Sequence, residues 1–206
     1  MSRRALVLSS CALLVLGFAT VQGAVESRQA ADSFSRKMAL IVQQAEATDQ
    51  RPVPKPAAAR RTPVSETEVN SWFAFRAQPL LPQGLTQPKI TIIGNGRLTG
   101  GATVDLEAIG KKRSTGGTLD LWSLLGGRVP LTVTGVLHTR DGQGRFELQQ
   151  ADISGVPLPK TLLQELVSYY TRTPDHPQGI RLDDAFELPA SIRQIEVGQG
   201  QAVVVQ

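Results

Sequence analysis

From residue 97 to residue 108 the chain alternates without a break. Leu98, Gly100, Ala102, Val104, Leu106 and Ala108 are apolar or small, while Arg97, Thr99, Thr103, Asp105 and Glu107 between them are polar, with Gly101 the one exception. A period of two is that of a strand with one face buried and one in water. Residues 89–94 form the strand before it, and Asn95 and Gly96 supply the left-handed backbone of a two-residue hairpin. The same alternation returns over 130–139, with Leu131, Val133 and Leu137 on one face and Thr132, Thr134 and His138 on the other. Asp141, Gly142 and Gly144 turn the chain into a strand over 145–154. There Phe146 and Leu148 are in phase, whereas Ala151 and Ile153 are one step out. A bulge near Gln149 and Gln150 absorbs such a shift. Further strands are expected over about 180–188, 191–197 and 201–205, and residues 118–125 form an apolar run ending in Gly126 and Gly127.

Two stretches carry the helical period instead. Over 27–47, Ala30, Phe34, Met38, Ile41, Val42 and Ala45 recur at steps of three and four. This helix reads as docked on the domain's own surface, with a helix lying on a membrane or partner as the alternative. Pro159 opens the second, whose stripe is Leu162, Leu163, Leu166, Val167 and Tyr170, and Thr173 and Pro174 stop it. A shorter helix is expected after Ser65, because Ser65 and Glu68 have the spacing of a capping box; Val69, Trp72 and Phe73 share its apolar side.

Strands joined by short turns and not by helices argue against a parallel sheet. The expected fold class is therefore α+β: a curved antiparallel β-sheet, a half-barrel, wrapped around or packed on one main α-helix. The expected divisions are a signal peptide over 1–23, an amphipathic helix over 24–48, a Pro/Arg-rich linker over 49–64 and the α+β domain over 65–206. The four prolines and four basic residues of the linker exclude a helix or a central strand there.

The beginning of the chain sets the compartment. Arg3 and Arg4 precede a mostly apolar run from Ala5 to Leu16, and small residues surround a cut ahead of Ala24, the pattern of an export signal. The protein is expected to be exported and periplasmic, and membrane-associated if that segment stays uncleaved. Cys11, the only cysteine, sits too early in the apolar run for a lipoprotein processing box and leaves with the signal.

Composition removes function classes. Without Arg3 and Arg4, 20 basic residues stand against 18 acidic ones, a net of +2, which makes no case for nucleic acid. Two histidines, His138 and His176, form no zinc signature, and the acidic residues lack the EF-hand spacing. No G-x-S-x-G elbow is present, and no spacing recommends any pair among Asp105, Glu107, Asp120, Glu147 and Asp152 as a glycosidase dyad. The stretch from Gly110 to Gly117 holds Lys111, Lys112 and Arg113 in the wrong order for a phosphate-binding loop and reads as exposed. No catalytic residue, metal or cofactor is expected.

What remains is an apolar sheet face and an apolar helix, which either close into a dry core or leave room for an apolar ligand. The candidate lining is Trp72, Phe73, Leu98, Val104, Leu106, Trp122, Val133, Leu137, Phe146, Leu148, Leu163, Leu166, Val167 and Tyr170.

The order of elements resembles a known kind of protein. The helix entry Ser65, Glu66, Glu68 and Asn70 with Trp72 and Phe73 comes before a run of strands. Gly155-Val156-Pro157-Leu158-Pro159 then leads into a helix, and Ile192, Ile195, Val197 and Ala202 to Val205 close the chain. This is similar to exported bacterial tubular lipid-binding (TULIP-like) half-barrels, over about residues 65–206. The resemblance implies a non-enzymatic lipid-binding or lipid-transfer protein of the periplasm. Its partners would be a lipid or other apolar small molecule, and it would make transient contact with a membrane surface. The alternative is a non-catalytic envelope structural or interaction protein with a closed core. The early helix, the linker and the loop over 110–117 depart from the resemblance.

Overall fold

The structure, a computed structural model, describes residues 25–49, 59–106, 127–174 and 176–206. The apolar run over 118–125, the loop over 110–117 and Trp122 lie outside the described residues.

The fold is α+β, with three α-helices and two antiparallel sheets among the described residues. In chain order the elements are α1 (Arg28–Asp49), β1 (Arg61–Ser65), α2 (Glu66–Phe75), a short 3-10 turn (Gln78–Leu80), β2 (Leu85–Gly94), β3 (Arg97–Asp105), β4 (Arg128–Arg140), β5 (Gln143–Ile153), β6 (Val156–Pro157), α3 (Lys160–Tyr170), β7 (Phe186–Glu187), β8 (Gln194–Val197) and β9 (Gln201–Val205). The large sheet has the order β2-β3-β4-β5-β6, with β7 also paired to β5, and it is not closed into a barrel. The small sheet has the order β1-β9-β8.

The large sheet is built by hairpins whose turns the dipeptides specify. Asn95 and Gly96, Asp141 and Gly142, and Ser154 and Gly155 all have positive φ, as two-residue hairpins demand. Register then carries the alternation from strand to strand. Gly100 pairs with Val133, which pairs with Ala151, and Ala102 pairs with Leu131, which pairs with Ile153. The pairing of β4 with β5 slips between Thr134 and Gly135, opposite Gln150 and Leu148, so Gln149 is the extra residue. This bulge returns Ala151 and Ile153 to the face of Phe146 and Leu148. The other face is polar: the Thr99 and Thr134 hydroxyls meet at 2.8 Å, and His138 Nε2 lies 3.1 Å from Glu147 Oε2.

Two cores follow from this layout. In the first, α3 places Leu163 and Leu166 against Val104, Leu106, Ala151, Ile153 and Leu158 on the apolar face. In the second, Ile41 of α1 packs with Val64, Leu188, Ile192 and Val204 on and around the small sheet.

Several expectations change here. Among the described residues the helix on the sheet is one of three, and the longest is α1. Within α1 the buried residues are Ala31, Ile41 and Ala45, whereas Met38 and Val42 are exposed. The stretch read as linker ends in a strand, since Arg61–Ser65 pairs with β9. Pro63 is tolerated because β1 is an edge strand. Arg60 and Gln206 exchange both backbone hydrogen bonds, so alternation turns the missing N–H of Pro63 outward. The Pro63 carbonyl, facing the same way, accepts from Lys37 Nζ at 2.7 Å. The strand expected over 180–188 shrinks to Phe186–Glu187, and that over 191–197 to Gln194–Val197. In the first, the Ile180 and Leu182 backbone groups are bound by the side chains of Gln164 and Thr171, on and just after α3, and not by a neighbouring strand.

Candidate functional site

Eight of the candidate lining residues come together in the first core: Val104, Leu106, Val133, Leu148, Leu163, Leu166, Val167 and Tyr170. Val104, Leu106, Leu163 and Leu166 are at most 2% exposed, and their packing against one another is closed. Tyr170 reaches the Asp105 carbonyl with its hydroxyl at 3.4 Å. Burial pushes its phenol pKa up, and the nearby Tyr169 and Asp105 act in the same direction.

Leu98, Leu137 and Phe146 share the apolar face but lie beyond α3, toward the Asn95 and Asp141 turns, and all three are half-buried. The face is uneven. A Cβ built on Gly100 meets nothing within 4 Å, so the row between Leu98 and Ala102 is open above Gly100. Gly135, in contrast, lies under the Phe146 ring.

Trp72 and Phe73 are elsewhere. Trp72 packs its ring at 5.6 Å from that of Phe34 on α1, and Phe73 packs at 5.8 Å from Trp72. Trp72 therefore joins α2 to α1, and neither Trp72 nor Phe73 belongs to the core under α3. Trp122 is outside the described residues.

Two grooves border other parts of the molecule. One, of about 600 Å³, lies where β8 crosses the β4–β5 hairpin and is lined by His138, Arg140, Arg145, Gln194 and Glu196 among others; of the candidate lining residues only Leu137 borders it. Here the two sheets are joined by Thr139, whose Oγ1 both donates to the Ile195 carbonyl and accepts from its N–H, each at 2.9 Å. Glu196 is taken up by a two-pronged pair with Arg61, whose hydrogen bonds come first in holding the carboxyl below its usual range. The second groove, of about 640 Å³, runs between α1 and β1.

Polar residues considered for chemistry are held by separate neighbours and do not converge. Glu147 pairs with His138, Asp152 accepts from Gln150 Nε2 at 2.9 Å, and Asp105 lies 3.9 Å from Arg128. His176 caps a loop through its N–H to Thr173 Oγ1. Among the described residues no three His, Cys, Asp or Glu side chains converge as a metal site, and no helix is long and apolar enough to cross a membrane. Glu107 and Asp120 lie outside the described residues.

Sequence reasoning placed Glu66 and Asn70 in the entry of α2 but missed what they do. Asn70 is buried with both amide atoms on the Ile90 backbone, and Glu66 accepts the Ile92 N–H at 2.7 Å. A capping box announces the helix but not which strand its polar side chains reach. No family model matches the chain, and no curated protein or solved structure is detectably similar to it.

Proposed function

We propose that the protein is a non-enzymatic, exported lipid-binding or lipid-transfer protein that holds an apolar chain on the inner face of a half-barrel formed by the large sheet and α3. The observation that carries this reading is the open row at Gly100, bordered on the same apolar face by half-buried Leu98 and Val133. An aliphatic face left partly in water gains about 25 cal/mol for each Å² that a ligand covers. Leu98, Leu137, Phe146 and Leu148 are the side chains that would meet such a ligand; Val104, Leu106, Leu163 and Leu166 would hold the floor in place.

A second reading is an interaction protein of the envelope with a dry core. It is favoured by the closed packing of those four residues. Native mass spectrometry of the protein purified from a bacterial envelope, followed by lipid extraction, separates the two. A stoichiometric lipid adduct supports the carrier and names its cargo. A bare mass that stays bare after incubation with envelope lipids supports the closed core.

A further inference from the structure

The groove between α1 and β1 begins at Ser27, a few residues past the end of the export segment read from the sequence, and is walled by Ser33, Arg36 and Lys37 on one side and Ser65 and Gln201 on the other. Its one carboxylate, Glu68, is 12% exposed and already saturated. Oε1 accepts from Ser33 Oγ at 2.6 Å, Oε2 accepts from the Ser65 N–H at 2.9 Å, and Lys37 Nζ stands 2.7 Å from Oε1 and 2.8 Å from Oε2. Lys37 thus cancels the Glu68 charge at contact distance. Arg36 lines the same groove from the next position on α1, and among the described residues no carboxylate lies within ion-pair distance of it. Gln29 and Gln201 also line it, and a glutamine amide carries two N–H donors and no charge.

We propose that this groove is a phosphate site, with Arg36 as its anchor and Gln29 and Gln201 as neutral donors. A guanidinium presents paired N–H groups that match two oxygens of one phosphate, which a point charge does not. The surrounding amides donate without adding a competing anion. The site stands apart from the apolar face, so it does not depend on the lipid-carrier reading. The phosphate can belong to a lipid headgroup or to a soluble molecule, and the chemistry of recognition is the same.

The test uses the full-length chain and two probes: inorganic phosphate, followed by NMR of the arginine and glutamine side-chain N–H groups, and sedimentation with phosphatidylcholine vesicles with and without phosphatidylglycerol. Arg36→Ala is compared with Arg36→Lys and with Arg172→Ala, an exposed arginine outside the groove. Saturable shifts with inorganic phosphate, weakened about tenfold or more by Arg36→Ala, less by Arg36→Lys and not by Arg172→Ala, support a soluble ligand. The same order of variants seen only with the anionic vesicles supports a headgroup. The proposal is overturned if neither probe engages the protein, or if Arg36→Ala and Arg172→Ala weaken binding equally.

Discussion

Asn70 closes a two-bond ring with the backbone of Ile90: its Nδ2 donates to the Ile90 carbonyl at 2.8 Å, and its Oδ1 accepts the Ile90 N–H at 2.8 Å. A helix side chain therefore does what a neighbouring strand would do on the free edge of β2. The next outward residue is finished the same way, with Glu66 on the Ile92 N–H and the Gly200 N–H on the Ile92 carbonyl at 2.8 Å. An edge left open here is a template for pairing with another chain.

Asn70→Ala leaves both Ile90 groups without their partner at a partly buried position, where each unsatisfied group costs toward the lower end of about 1–3 kcal/mol. The variant should lose about 2–4 kcal/mol in urea unfolding on that basis. Asn70→Asp keeps the acceptor and loses the donor, so it too should destabilise. A loss below the spread of ordinary surface substitutions in both variants would show that the ring contributes nothing.

Glu68 sets an acid limit on the docking of α1. Burial acts to raise its pKa, but the hydrogen bonds from Lys37, Ser33 and the Ser65 N–H, with the Lys37 charge, outweigh burial and hold the carboxyl below its usual range. A carboxylate depressed in the folded state contributes stability that is complete above its unfolded pKa, near about 4.3, and is lost as pH falls through the folded value. Stability measured from pH 6 downward, roughly across that range, should therefore fall less steeply in Glu68→Gln than in the parent. Parallel curves would remove Glu68 from the acid response.

Two glycines on one face should behave oppositely. A Cβ on Gly135 would press on the Glu147 carbonyl oxygen and come within 2.8 Å of Phe146 Cε1. Gly135→Ala is expected to cost about 1–3 kcal/mol, the range for overpacking. Gly100 has open space and no positive φ, so Gly100→Ala should be neutral or stabilise by about 0.5–1 kcal/mol, the strand-interior penalty of glycine. Equal losses in urea unfolding would mean that the space above Gly100 is filled.

The sheet was legible where local chemistry decides it. Asn95-Gly96 and Asp141-Gly142 fix two turns, the period of two fixes the faces, and the phase slip at Ala151 and Ile153 located the bulge at Gln149. Ser65 and Glu68 announced α2, and both of their reciprocal bonds are present. What stayed hidden is what distant segments decide. Pro63 argues against a strand unless the strand is known to be an edge with β9 beside it. Trp72 and Phe73 are as apolar as any core residue, and nothing local tells that Trp72 meets Phe34 of α1 and not the core under α3. Within the candidate lining, periodicity put Leu98 and Val104 in one class, because it does not tell how far α3 reaches along the face.

That difference decides how the ligand should be tested. Val104 and Leu166 are 1% and 2% exposed within the α3 core, so a charge at either would be buried without a partner and would unfold the domain whatever the protein binds. Leu98 and Leu137 are half-buried on the same face. Leu98→Gln and Leu137→Gln can keep their amides in water and should retain cooperative unfolding, losing about 1–2 kcal/mol, less than the full burial energy of a leucine. Lipid uptake should fall in both, and the double variant should be empty in native mass spectrometry. Val136→Gln, on the polar face of β4 beside Arg97, is the control and should load as the parent does. If all the variants load alike while remaining folded, an apolar ligand does not lie on this face, and the closed-core interaction protein becomes the reading to pursue.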